Sequence, residues 1–202
     1  MIKQKKETTL FSKTAYILSK ALQIIEENLI LRAKQGDDRA YKELYDKYCN
    51  SFFAICLRYS SSREEAEDML QESMIKIFRE LHSFDKDRGT FYTWGARIVI
   101  NTNLASLRKS NIKFDAIESE NLANTLKDQY NVLADLEVKD VIAALQEMPS
   151  GYRTVFNLYY FEGYNHQEIA EQLGVSESTS KTQLMKSKVY LKKTLEDLEL
   201  AN

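Results

Sequence analysis

Chain breakers are scarce in this sequence: a single proline, Pro149, and six glycines stand in 202 residues. That scarcity excludes the turn-rich sandwiches and barrels, while abundant Tyr, Leu, Lys, Glu and Ala favour an all-α fold. No apolar run approaches the roughly 18 to 20 residues that a membrane-spanning helix needs, and the opening MIKQKKETTLFSKTAYILSKAL has no unbroken apolar core or small-residue cleavage site. The expectation is therefore a cytoplasmic chain with no membrane insertion. Cysteine is limited to Cys49 and Cys56. Seven residues apart on one helix, they lie about 10 Å apart along its axis, too far for a disulfide, and no CxxC or histidine pair suggests a metal site. His82 and His166 are distant in sequence and no glycine-rich phosphate loop occurs, so no catalytic constellation and no cofactor are expected.

Net charge is also small, at -2, which argues against indiscriminate coating of nucleic acid. The distribution says more than the sum. Lys181, Lys186, Lys188, Lys192 and Lys193 cluster near the end, Arg97, Arg108, Lys109 and Lys113 cluster mid-chain, and acids dominate Glu64 to Glu72 and residues 115 to 120.

Apolar periodicity divides the chain. Residues 1 to 27 show only a weak amphipathic pattern and form an N-terminal extension without assigned role. Asp37 and Asp38 cap a helix in which Tyr41, Leu44, Tyr45, Tyr48, Phe52, Ile55 and Tyr59 recur at helical steps. Ser62 with Glu65 opens the next helix, and Thr90 caps another after the polar stretch HSFDKDRG. Periodicity fades from about 113 to 133, which reads as a linker. Helices resume from Asp135 to Met148, from a Ser150 cap to Phe161, from Asn165 with Glu168, and from Ser176 onward. The expected organisation is an extension (1–27), a helical domain (28–112), a flexible linker (113–133) and a second helical domain (134–202).

The stretch HQEIAEQLGVSESTSK, His166 to Lys181, meets the demands of a helix-turn-helix. Ala170 is small where two helices cross, Gly174 tolerates the positive φ of the turn, and polar side chains follow on the second helix. Ser176, Ser178, Thr179, Thr182 and Gln183 are candidates for duplex DNA, and Lys181, Lys186 and Lys188 for its phosphates. Ser180 falls where such motifs usually bury Val or Ile.

A second candidate face lies on the helix after Gly89, where Trp94, Arg97, Asn101 and Arg108 share one side. An aromatic ring, an amide and guanidinium groups suit single-stranded nucleic acid: the ring stacks on an exposed base, and arginine holds the backbone. The preceding loop, with His82, Phe84, Arg88 and Gly89, could wrap a base drawn from the stack.

Three blocks, AEDMLQESMIKIF (66–78), GTFYTWGARIVIN (89–101) and MPSGYRTVFNLYYFEGYNHQEIAEQLGVSESTSKTQLMKSK (148–188), together resemble the extracytoplasmic-function subgroup of the sigma-70 family of bacterial RNA polymerase sigma factors, over roughly residues 28 to 195. The resemblance implies a promoter-specificity subunit whose partners are core RNA polymerase, promoter DNA as duplex and as non-template single strand, and, as is usual in the subgroup, an anti-sigma factor. It implies that Asp68, Gln71 and Glu72 dock on the polymerase clamp helices. His82, Phe84, Arg88, Trp94, Arg97, Asn101 and Arg108 would capture minus-ten bases, and the last helix would read the minus-35 element. Gly95 departs from the family, where Leu is frequent, and costs about 1 kcal/mol of helix stability relative to Ala. The alternative from the residues themselves is a stand-alone helix-turn-helix regulator that binds duplex without polymerase. A third reading is a scaffold whose amphipathic helices never meet DNA.

Overall fold

The structure is a computed structural model that describes residues 20–109 and 138–199. Among these residues it is all-helical, and no helix is long and apolar enough to cross a membrane. The chain order is α1 (20–34), α2 (Asp38–Tyr59), α3 (Arg63–Arg79), two 3-10 turns (Leu81–Ser83 and Lys86–Arg88), α4 (Phe91–Lys109), α5 (Val138–Glu147), α6 (Ser150–Tyr160), α7 (His166–Leu173) and α8 (Glu177–Glu199). The expected linker and Lys113, like residues 1–19, lie outside the described residues.

Local chemistry accounts for where these helices begin. Asp37 accepts from the backbone N–H of Arg39 and Ala40 at the start of α2. Ser62 accepts from the Glu65 N–H at the start of α3, and Thr90 from the Thr93 N–H at the start of α4. Each side chain satisfies a donor that the first helical turn leaves without a partner. Ser150 differs from expectation: it is the first residue of α6 rather than its side-chain cap, and its carbonyl accepts from the Thr154 hydroxyl.

The first helical group packs α2, α3 and α4 together, with Leu44, Phe52, Ile55, Tyr59, Ala66, Ile77, Leu81, Phe91 and Val99 all buried. Gly95 is a packing residue within it. A methyl group there would stand 2.5 Å from the Phe52 ring, so the departure from the family's Leu lets an aromatic ring reach the α4 backbone.

Helix α1 covers one side of this group through Leu29, Ile30 and Ala33. It is also tied by polar contacts. Tyr48 donates its hydroxyl proton to Glu26, Lys86 pairs with Glu27 at 2.8 Å, and Lys34 donates to the Phe84 carbonyl at 2.6 Å.

In the second group α8 packs against α5, α6 and α7 around Leu145, Met148, Leu158, Ile169, Leu184 and Leu195. The buried Arg153 donates to the Leu145 and Gln146 carbonyls, satisfying the end of α5 beside Pro149. Helix α2 contacts both α5 and α6, so the two groups meet along a seam.

Candidate nucleic-acid and polymerase interfaces

The α7–turn–α8 unit has the geometry its sequence promises. Asn165 and Glu168 form a reciprocal capping box, with the Glu168 N–H donating to Asn165 Oδ1 at 2.9 Å and the Asn165 N–H to Glu168 Oε2 at 2.8 Å. Gly174 ends α7 at φ 68 and ψ 34, the left-handed conformation that glycine adopts without steric cost. Ser176 then accepts from the Thr179 N–H at 3.0 Å and opens α8.

Ser180 has a defined task in place of the usual aliphatic residue. It is fully buried, and its hydroxyl lies 2.9 Å from His166 Nδ1 on the first turn of α7. The His166 ring also stacks on Tyr159, with centroids 5.0 Å apart. A hydrogen bond thus joins the two helices where a dispersion contact would otherwise do so. Burial holds the His166 imidazolium below its ordinary range, as do Lys181 and Lys188, while Glu177 opposes them.

Burying Ser180 decides which face of α8 turns inward. Ser180, Gln183, Leu184, Ser187 and Leu191 fall on one helical face and all are buried. Gln183 is therefore not a base-reading residue. It has no exposed surface, and neither amide atom has a hydrogen-bond partner among the described residues. Ser176, Ser178 and Lys181 are exposed, and Thr179, Thr182, Lys186 and Lys188 are half-buried. Lys181 pairs with Glu177 at 2.7 Å, Lys186 sits over the Tyr152 ring and Lys188 over the Tyr160 ring. The result is a cationic and hydroxyl-rich surface on the outer side of α8.

On the first helical group, Arg97, Asn101 and Arg108 are exposed along α4, with His82 and Arg88 exposed in the preceding loop. Trp94 is half-buried and touches both Phe84 and Phe91, with ring centroids 5.5 and 5.6 Å away. Phe84 does not fit the proposed base-wrapping role. It is only 7% exposed and meets Phe91 edge-on, so it anchors the loop from beneath while its polar neighbours face outward. Sequence reasoning also missed Lys34, Glu27 and Lys86, which hold this loop to α1. No local pattern announces contacts between residues 50 and 59 positions apart.

Asp68, Gln71 and Glu72 are exposed on α3, on the side opposite the buried Ala66, Met74 and Ile77. Lys76 holds Glu72 at 2.6 Å, and that hydrogen bond keeps the Glu72 carboxyl below its ordinary range. Ile75, 60% exposed, continues the same face and was not singled out from sequence. It places an apolar group beside the acids. Among the described residues no group of three or more His, Cys, Asp or Glu side chains could hold a metal ion.

These features define an all-α DNA-binding protein built around a helix-turn-helix. Comparison with known proteins carries the assignment further. The family model described as Sigma-70 region 2 matches residues 44–111, and that described as Sigma-70, region 4 matches residues 139–191. The ECF RNA polymerase sigma factor SigW of Bacillus subtilis (strain 168) is 29% identical over 188 residues, covering 88% of this chain and 100% of the relative. The ECF RNA polymerase sigma-E factor of Haemophilus influenzae is 28% identical over 189 residues, covering 88% of this chain and 99% of the relative. Among solved structures, the sigma factor RpoE of Bartonella quintana, bound to the anti-sigma factor NepR, aligns with a TM-score of 0.46 at 20% identity, covering 77% of this chain and 96% of that one. The chain belongs to the sigma-70 family, in its extracytoplasmic-function subgroup.

Proposed function

We propose that this sigma factor divides its work between two helical domains, residues 28–112 and 134–202, joined by a linker over 113–133. The first domain docks on core RNA polymerase through Asp68, Gln71 and Glu72 and captures non-template bases of the minus-ten element through Trp94, Arg97, Asn101 and Arg108, with His82 and Arg88 in the adjoining loop. The second reads the minus-35 element as duplex through Ser176, Ser178, Thr179 and Thr182, while Lys181, Lys186 and Lys188 meet phosphates. Phe84 and Gln183 act from inside the fold and make no DNA contact.

The observation that carries this reading is the pairing of two chemically different exposed faces on one packed helical group: acidic on α3, cationic and amide-bearing on α4. A protein that only gripped duplex would have no use for the acidic one. Opening follows from differential binding, because a face that accepts only unpaired bases shifts the equilibrium toward melted DNA. No bond is made or broken by the sigma factor, the phosphodiester chemistry belongs to polymerase, and the site of action is the cytoplasm.

Transcription in vitro with core polymerase and a matching promoter tests the proposal. The wild-type chain restores promoter-dependent initiation, and Asp68→Lys with Glu72→Lys abolishes co-purification with core. Normal binding of that variant to core would overturn the docking assignment.

A further inference from the structure

Helix α1 carries apolar side chains on two sides. Leu29, Ile30 and Ala33 turn into the first helical group and are buried. Ala21, Ile24, Ile25, Asn28 and Leu31 share the other side, where all five are exposed and none is charged. Ile24 and Ile25 are each 64% exposed and Leu31 is 54% exposed. Leu22, seven residues before the buried Leu29 and so in line with it, is 65% exposed as well, and no side of α1 is covered between residues 20 and 25. Four large aliphatic side chains left in water within three turns of one helix exceed the scattered single residues of an ordinary surface. The charged groups of α1 are engaged with the body instead: Glu26 accepts from Tyr48 and pairs with Lys47, Glu27 pairs with Lys86, and Arg32 pairs with Asp37.

The residues that lead into this helix supply charge of one sign. Over positions 1–20, Lys3, Lys5, Lys6, Lys13 and Lys20 stand against a single acid, Glu7, in a chain whose net charge is -2. In the sequence the uncharged register of the outward stripe also runs back through Ile17, Thr14 and Leu10, and all five lysines fall off it.

The stripe and the lysines together select the occupant. A nucleic acid would neutralise the lysines but leave Ile24, Ile25 and Leu31 in water. A second copy of the chain would cover the stripe but give the lysines no anionic partner. An anionic lipid surface answers both, because aliphatic side chains enter the boundary between headgroups and acyl chains while ammonium groups meet the lipid phosphates. We propose that α1 seats on an anionic lipid surface through Leu22, Ile24, Ile25 and Leu31, with the lysines of residues 3–20 held at its headgroups. The helix lies along that surface, since among the described residues no helix is long and apolar enough to cross a bilayer. Binding is reversible, because a short apolar face with a few basic residues is a marginal anchor. It is separate from the promoter and polymerase contacts assigned above, which use α3, α4 and α8.

The test is flotation of the full chain with vesicles of phosphatidylcholine alone and of phosphatidylcholine with about one third phosphatidylglycerol. The wild-type chain is expected to partition about tenfold more strongly onto the anionic vesicles, and added salt should weaken that binding. Ile24→Gln with Leu31→Gln replaces two exposed side chains, so thermal unfolding should be unchanged while anionic partitioning falls by about tenfold. Lys5→Gln with Lys6→Gln and Lys13→Gln should erase the preference for anionic lipid, and it decides the matter should the first variant lose helicity. Equal partitioning onto both vesicles, or wild-type partitioning by either variant, would overturn the lipid assignment. So would sedimentation showing a wild-type dimer that Ile24→Gln with Leu31→Gln makes monomeric, which would give the stripe to a second copy. Binding of promoterless duplex DNA that the lysine variant loses, with no flotation of wild type, would give the lysines to nucleic acid and overturn it likewise.

Discussion

Gly95 on α4 and Phe52 on α2 are locked together: a β-carbon at residue 95 would stand 2.5 Å from Phe52 Cζ. The ring has no room to retreat, because it stacks on Tyr48 at 5.7 Å and on Tyr92 at 5.8 Å between centroids. Gly95→Ala would gain about 1 kcal/mol of helix propensity but incur an overpacking cost of about 1 to 3 kcal/mol. The expected outcome is a lower thermal midpoint, partly recovered when Phe52→Leu is added. A more stable Gly95→Ala protein would show that α2 and α4 separate more easily than this packing allows.

Strand capture and loop anchoring separate by mutation. Arg97 and Asn101 are exposed, so Arg97→Ala with Asn101→Ala should leave thermal unfolding unchanged while reducing promoter opening, measured by fluorescence of a base analogue in the minus-ten element. Phe84→Ala empties a buried site and should cost about 3 to 5 kcal/mol in denaturant unfolding. A fully stable Phe84→Ala protein with defective opening would restore Phe84 to the DNA surface.

On α8, Lys181 and Gln183 should behave oppositely. If Lys181 meets a phosphate as proposed, Lys181→Ala should make the dependence of log K on log salt shallower by about 0.9, without altering sequence preference. Gln183→Leu replaces two buried unpartnered amide atoms with apolar ones and should raise stability by about 1 kcal/mol, with minus-35 preference intact. A change of preference in footprints of Gln183→Leu would contradict its inward orientation.

The His166–Ser180 bond predicts a pH response. His166 titrates below its ordinary 6.5 in the folded chain, so the neutral ring is the form the fold favours. Its stabilising contribution is complete above pH 6.5 and is lost as pH falls through the lower folded value. The thermal-midpoint advantage of wild type over His166→Gln should therefore shrink on acidification from neutrality. An advantage that stays constant down to pH 5 would remove His166 as the titrating group, on a scale where the ordinary imidazole value is about 6.5.

The amino-acid order alone determined most of the helix starts and the helix-turn-helix, because those features are settled within three or four residues; the start of α6 at Ser150 and the helix α1 over 20–34 were not legible in it. Asp37, the Asn165–Glu168 pair, Gly174 and Ser176 act on backbone groups in their own turn, and the apolar stripes repeat at the helical period. Tertiary structure decided which side of each stripe is the inside. Phe84 and Gln183 read as surface residues until Phe91 and Trp94 cover one, and until the Ser180–His166 bond commits the face of α8 that carries the other. The seam was beyond any local reading, since Arg58 and Glu162 stand 104 residues apart and only the packing of one helical group on the other brings their charges together.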